Sequence, residues 1–574
     1  MPPSKRLSLP SWVQDWQRRS VWLFSAAVVT LLVCYPLGML VKASFVDEAG
    51  LYTLDNYVSL FTRTIFLAAI VTSLKVAICS TVLSVAIGFP VAWAVSRTNM
   101  PVRGSIRNLV LASFITPPYL GALAWIFLLG PQAGKLNLLL RQLFGLEKMP
   151  FDIFTIEGLI FVTFIYSYPY VFVNCVTALD NADADQEDAA RILGASVWKT
   201  LLKVTTPLMG PAIAGGAIFA FIEALTIFGT AVMIGMPVGL HTIPTRIYVL
   251  FQYPPRYEQA AALCMPLLLV TAGLLLCQRL YFGARQFVTV SGKATQPRMV
   301  ELGSSKYLLL ALCIVVVMSS VVLPYLMLAI VSISKSWGNP LSWQNMTLSH
   351  YGAIFASGGI AQRALINSLF LAVSAATLAT LLTAVLAALV ERTDFRGRSL
   401  VGLIAMVPFA IPGIALGVAM MWAYISPPIA LYGTIWILLV TYVTKWIPLG
   451  FMSARLSLKQ MSSEFEEAAR NLGATWSYAF TRVTLPLIAV GLVIGWLQIF
   501  IHAIGELAAS SLLYSPGKEV LSVLVLILFD QGRFESVAAL AILLLAIVWT
   551  VVFLTRKLAG GFDFNEKAHA RTAG

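Results

Sequence analysis

Glu187-Asp188-Ala189-Ala190-Arg191-Ile192-Leu193-Gly194-Ala195, with Pro207 beyond it, recurs as Glu466-Glu467-Ala468-Ala469-Arg470-Asn471-Leu472-Gly473-Ala474 with Pro486. From 187 to 466 the offset is 279 residues, and the glycines and prolines keep it. Each copy lies between strongly apolar stretches. The chain therefore reads as a duplicated membrane protein with one polar loop per half.

Composition agrees. Over 574 residues, 59% are hydrophobic and 11% charged, with a mean hydropathy of +0.84. Apolar runs recur near the roughly 20 residues that cross a bilayer as a helix. They place twelve membrane helices near 22–45, 65–95, 108–130, 155–179, 208–235, 258–281, 307–333, 366–390, 400–425, 433–454, 487–513 and 535–555, with the fifth segment of each half open to being broken. The expected fold is an all-α polytopic membrane protein: a first half over 1–283, a joining segment over 284–305 and a second half over 306–574. Six helices per half put both chain ends on one side and make the two repeats parallel.

The net charge of +13 would point to nucleic acid in a soluble chain. Here the charges gather in short loops on alternate sides, which sets membrane orientation instead. Lys5, Arg6, Arg18 and Arg19 precede the first helix, Arg97, Arg103 and Arg107 follow the second, and Arg279, Arg285, Lys293, Arg298 and Lys306 surround the join. Both termini, the join and the two repeated loops are thus expected in the cytoplasm, although Lys135, Arg141 and Lys148 on the opposite side run against the trend. No small-x-small cleavage site follows the basic amino terminus, so the first segment is expected to stay as an anchor.

The repeat extends past the loops. Ser73-Leu74 and Arg97-Thr98 match Ser368-Leu369 and Arg392-Thr393 at an offset of 295, and Pro169 matches Pro448 at 279. Within each loop, Glu187 and Arg191, like Glu466 and Arg470, stand four apart in the favourable acid-before-base order. The alanines keep the helix slim. Gly194 and Gly473 allow either a close approach or a left-handed turn into a second short helix, and Leu201, Val204, Phe480 and Val483 supply an apolar edge before the proline. Such a helix fits a cleft on a partner.

At these residues the chain resembles the permease subunits of ATP-binding-cassette importers, whose hallmark is a cytoplasmic Glu-Ala-Ala loop with a glycine further on. The resemblance implies a type I importer permease fold. It also implies that Asp188, Ala189, Ala190 and Gly194, and Glu467, Ala468, Ala469 and Gly473, belong to coupling helices that dock into two copies of a separate ATPase. Asp188 departs from the usual glutamate, with Glu187 beside it. A periplasmic binding protein would deliver substrate to a permease in the bacterial inner membrane. The fused two-half form is similar to the ferric-iron group, which has relatives for 2-aminoethylphosphonate, thiamine, sulfate and polyamines. Phe287-Val288-Thr289-Val290-Ser291-Gly292-Lys293 with Arg298, and Glu223 with Phe228-Gly229 and Pro254-Pro255, carry that likeness.

Gly130-Pro131-Gln132-Ala133-Gly134-Lys135-Leu136 has the wrong spacing for a phosphate loop and no hydroxyl after the lysine. ATP and its magnesium are therefore expected on the partner ATPase, with no cofactor or catalytic residue on this chain. Six cysteines without a close pair and four scattered histidines, His241, His350, His502 and His569, read as buried hydrophobes and isolated side chains rather than a metal cage. Two carboxylates fall within apolar segments, Glu223 and Glu506, and intramembrane acids are costly enough to face a pore or a partner. They are candidates for a cation path, the alternative being that they cap broken helices or bind a docked partner. Lys75 and Lys445 are read as snorkelling or pairing with helix ends. A gradient-driven transporter, which would lack an ATPase, and a membrane-embedded enzyme are the competing classes.

Overall fold

Apolar chain in lipid has no water for its backbone, so helices that close their own hydrogen bonds are the available answer. The computed structural model describes residues 11–182, 185–282, 299–340 and 342–561. Regular structure among them is helical, with three isolated β-bridges. The first repeat supplies α1 (Ser11–Ser44), α2 (Thr64–Arg97), a bent pair α3 (Arg103–Ile115) and α4 (Pro118–Leu129), and α5 (Ile156–Asn181). It continues with α6 (Asp185–Ile192), a second bent pair α7 (Val197–Leu208) and α8 (Gly210–Thr226), and α9 (Tyr257–Phe282). The second repeat supplies α10 (Ser305–Ser332), α11 (Ile360–Arg392), a bent pair α12 (Arg398–Ala410) and α13 (Gly413–Tyr424), and α14 (Ile435–Gln460). It closes with α15 (Glu464–Asn471), a bent pair α16 (Trp476–Leu487) and α17 (Ala489–Ile504), and α18 (Phe534–Gly561).

Among the described residues, eight helices are long and apolar enough to cross a membrane, and twelve if each bent pair counts as one span. The protein is an all-α polytopic membrane protein with the number of segments expected from its sequence.

The fifth segment of each half is broken, as its sequence leaves open, and the third is broken as well. Both the third and the fifth segments are bent, by 102° and 69° in the first repeat and by 113° and 74° in the second. In the third segment, Pro117 and Pro412 stand just before α4 and α13. Thr116 and Ile411, the residues ahead of them, are extended, as the proline ring requires. In the fifth, the expected 208–235 helix ends at Thr226, and a separate short helix, Gly229–Ile234, follows.

Three prolines also widen the helices that lead to them. π-helical turns at Leu201–Thr205, Met318–Val322 and Phe480–Thr484 each end two residues before Pro207, Pro324 or Pro486. Proline has no N–H for the carbonyl four residues back and its ring presses on it, so the chain passes to the wider register.

Two compact units form. One holds the chain up to Ala43, Ala356–Leu524 and the chain from Leu543; the other holds Ser44–Phe355 and Val525–Ile542. Repeats and packing units thus exchange their first helices. In the first unit Val29 and Val33 of α1 are buried with Leu386, Val401 and Phe451, and Tyr35 donates to the Ala423 carbonyl at 3.0 Å. In the other, Ser320 of α10 meets the Tyr168 hydroxyl at 3.2 Å and Trp125 donates to the Ser319 carbonyl at 3.2 Å.

Each unit is built on three tightly crossed helices, α2, α5 and α8 in one and α11, α14 and α17 in the other. Small residues let the backbones approach. A Cβ added at Gly216 would lie 2.7 Å from the Val171 backbone, and one at Gly495 would lie 2.9 Å from the Ser453 Cβ. Ser73 and Ser368, which the sequence pairs without a role, do the same job in both: each hydroxyl accepts the first amide of a short helix, Ile243 or Leu521, at 2.7 Å.

Candidate functional site

Each repeated loop folds as a short helix, a left-handed glycine and a second short helix running into the fifth membrane segment. α6 closes with Leu193 N donating to Ala189 O, Gly194 N to Arg191 O and Ala195 N to Ala190 O; α15 repeats this with Leu472, Gly473 and Ala474. Gly194 and Gly473 have φ of +86° and +87°, and a Cβ on either would meet nothing within 4 Å. Of the two roles the sequence left open, the left-handed turn is realised, and among the described residues no other part of this chain approaches either glycine closely. Ser196 and Thr475 then cap α7 and α16 by accepting the Lys199 and Tyr478 amides.

The leading acid of each motif faces inward. Glu187 is buried, accepts the Thr205 hydroxyl at 2.8 Å and lies 4.0 Å from Arg97 Nε. Glu466 accepts the Thr484 hydroxyl at 2.9 Å and lies 3.7 Å from Arg392 Nε. The threonines come from the π turns, so Pro207 and Pro486 help bring them to the carboxylates. The arginines end α2 and α11. Their forks also reach the chain just before the loop: Arg97 Nη2 donates to Ala182 O at 2.7 Å, and Arg392 Nη2 donates to Leu458 O and Met461 O at 2.6 Å each. Glu187 and Glu466 therefore face cross-helix neighbours, the threonine hydroxyls that they accept and the arginines ending α2 and α11, instead of Arg191 and Arg470 on their own helices.

Asp188, the second acid of the first motif, is half-buried and its counterpart Glu467 exposed, with Ala189 and Ala468 exposed beside them. Ile192, Leu193 and Leu472 are 85%, 87% and 90% exposed. Trp198, Leu202, Phe465 and Tyr478 extend these apolar faces. Of the apolar edge expected from Leu201, Val204, Phe480 and Val483, Phe480 is buried and stacks on Trp476, and the other three are half-buried. The signal for the exposed set was available: an apolar residue just before an unburied glycine, in both copies. Beside α15 lies a cavity of about 250 Å³ lined by Arg392, Asp394, Arg398, Glu466, Glu467 and Arg470 among others.

The two intramembrane acids are not equivalents. With α8 and α17 aligned at the 279 offset of the loops, Glu223 corresponds to His502, and Glu506 falls beyond the end of α17. Glu223 hydrogen-bonds Tyr170 of α5. Glu506 is buried, ion-pairs with Lys445 of α14 and accepts the Ala509 amide at 3.0 Å, while Ser522 donates to its backbone carbonyl at 2.6 Å. Lys445 and His502 both lie against Trp446. The lysine, read from sequence as pairing with a helix end or snorkelling, is the partner of Glu506. Among the described residues no group of three or more His, Cys, Asp or Glu could hold a metal ion. Phe287–Lys293 and Arg298, on which part of the iron-type likeness rests, lie outside the described residues.

Comparison with known proteins agrees with this layout. Residues 84–331 and 380–563 match the family described as "Binding-protein-dependent transport system inner membrane component". The ferric transport system permease protein FbpB of Actinobacillus pleuropneumoniae is 25% identical over 82% of this chain and 68% of its own length. A putative ferric transport system permease protein FbpB 1 of Haemophilus influenzae is 26% identical over 73% of this chain and 66% of its own. The chain thus spans about two thirds of the length of each of these relatives. A putative 2-aminoethylphosphonate transport system permease protein PhnV of Salmonella paratyphi A is 30% identical over 41% of this chain and 88% of its own length.

Proposed function

This chain belongs to the family of binding-protein-dependent transport system inner membrane components, and on that premise we propose that it is the fused permease of an importer carrying ferric iron from a periplasmic binding protein. As a membrane permease it is non-catalytic, and ATP is hydrolysed by partner ATPase subunits. The observation that carries the proposal is the doubled loop: two copies of one helix, glycine and helix unit, each held by the same arginine, glutamate and threonine, each presenting an apolar face to a partner. Two such faces call for two ATPase copies.

In the proposed cycle ATP draws the two ATPase subunits together and both loops move with them. The bent α7–α8 and α16–α17 pairs carry that displacement to the membrane segments, opening the path by turns to either side. Coupling requires that the loops make different contacts in the two states. The halves at 1–283 and 306–574, joined by 284–305, have their termini and loops on the cytoplasmic side in this reading, in keeping with the basic residues near them.

Iron is the substrate proposed, with 2-aminoethylphosphonate as the alternative; alignment of the ferric relatives across both halves supports the fused form of the importer. Glu223 and Glu506 are proposed as the carboxylates that serve translocation, one in each unit. Uptake of radioactive iron into vesicles holding the permease, its ATPase and its binding protein is the test. Iron uptake that 2-aminoethylphosphonate does not compete supports the assignment; phosphonate uptake without iron uptake would replace it. In the same vesicles Glu223→Gln, and Glu506→Gln combined with Lys445→Met, are expected to slow iron entry per assembled complex, and unchanged entry would remove the carboxylates from the path.

A further inference from the structure

Arg97 and Arg392 lie outside the repeated loops, yet each is the point where a loop meets the rest of its unit. Arg97 is 1% exposed in its side chain and Glu187 8%. Despite that burial, Arg97 Nε and Nη1 have no hydrogen-bond partner, and the Glu187 carboxylate stops at 4.0 Å, just beyond bonding range. The second repeat shows the same shortfall: Arg392 Nε is unpartnered with Glu466 at 3.7 Å. A buried guanidinium N–H left without an acceptor is costly; Arg97 is wholly buried, whereas Arg392 is half-buried with its Nε enclosed. Displacement of the loop by about 1 Å would bring either pair into the 2.7–2.9 Å range of a charge-assisted bond.

The backbone of Arg97 adds a further connection. Val300 N donates to Arg97 O at 2.8 Å, and Asn99 N donates to Val300 O at 3.2 Å. The chain entering the second repeat is therefore fastened to the residue that holds the first loop.

We infer that Arg97–Glu187 and Arg392–Glu466 are state-dependent latches: open in this structure, they close when an ATPase subunit pulls the loop, and Arg97 and Arg392 are the positioning residues that pass loop movement to α2 and α11. The inference rests on the importer reading above. Thr205 and Thr484 hold the carboxylates in the open state, so closing exchanges or shares a hydroxyl donor for a guanidinium. A contact of this kind differs in strength between the two states, which is the condition for coupling.

The test compares the complete complex in lipid nanodiscs, nucleotide-free and trapped with ATP and vanadate, for the unaltered chain, Arg97→Lys, Arg97→Met, Glu187→Gln and the second-repeat counterparts Arg392→Met and Glu466→Gln. Thermal unfolding of each is read in both states, with ATP hydrolysis alongside. Latches that close on trapping predict that Arg97→Met and Glu187→Gln shrink the rise in Tm on trapping and slow hydrolysis about tenfold. The Arg97–Glu187 double variant should be no worse than either single, and Arg97→Lys should recover part of the loss. Equal lowering of Tm in both states, or additive losses, would make these contacts purely structural and overturn the inference. Glu187→Gln keeps the shape of the side chain, so it carries the test if Arg97→Met fails to assemble. An unaltered chain that recruits no ATPase would overturn the importer reading itself, and the latch with it.

Discussion

At Gly194 and Gly473 the demand on the residue is purely conformational: φ is positive and open space lies where a Cβ would project. An L side chain in that region costs about 1–2 kcal/mol. Gly194→Val and Gly473→Val are therefore expected to insert normally but to tilt the second short helix and reduce ATPase stimulation, with the asparagine variants milder; hydrolysis in the assembled complex, normalised to membrane content, checks this. The other residue-scale expectation concerns Glu506. Glutamine there leaves the Lys445 ammonium buried without its counter-charge, a loss of about 3–5 kcal/mol for such pairs, visible as a fall in Tm that Lys445→Met in the same chain should largely restore. The motif residues, the glycine turn and both intramembrane acids were legible in the sequence. Which way Glu187 points was not, since its partners Arg97 and Thr205 are 90 and 18 residues away and spacing within one helix speaks only for Arg191.

Among the elements, the most useful regularity is the proline two residues after each π turn. In the loops that wider turn places Thr205 and Thr484 on the glutamates. Pro207→Ala and Pro486→Ala are expected to let the α-helical register return and turn these hydroxyls away, so that both variants weaken ATP-driven transport while leaving the chain in the membrane; uptake per assembled complex measures it. Ser73 and Ser368 give a second check. Removing either hydroxyl leaves a helix amide unaccepted, at about 1 kcal/mol, and the matched geometry predicts similar drops in Tm for Ser73→Ala and Ser368→Ala. Apolar runs revealed how many segments there are, because lipid thickness sets their length. They did not show that the third segment bends: hydropathy continues across Thr116-Pro117 and Ile411-Pro412, and only the prolines themselves mark the break.

For the whole molecule, duplication was visible and exchange was not. Sequence repeats end at the join, but α1 packs with the unit built on the second repeat and α10 with the unit built on the first. Hydrophobic patterning gives a helix its apolar faces without naming the neighbour that covers them. Separate expression of 1–283 and 306–574 is accordingly expected to give unstable fragments, each lacking the helix that completes its core, while co-expression restores a complex that purifies together; stable, monodisperse fragments made alone would count against the exchange. The central claim is that both loops couple this permease to an ATPase. It is tested most directly by ATP hydrolysis of the reconstituted complex, with the binding protein absent, empty or loaded with ferric iron. The account predicts that ATPase subunits co-purify with the chain and that the iron-loaded protein raises hydrolysis above the empty one. A chain that purifies without an ATPase, or an attached ATPase that responds to no form of the binding protein, would contradict it.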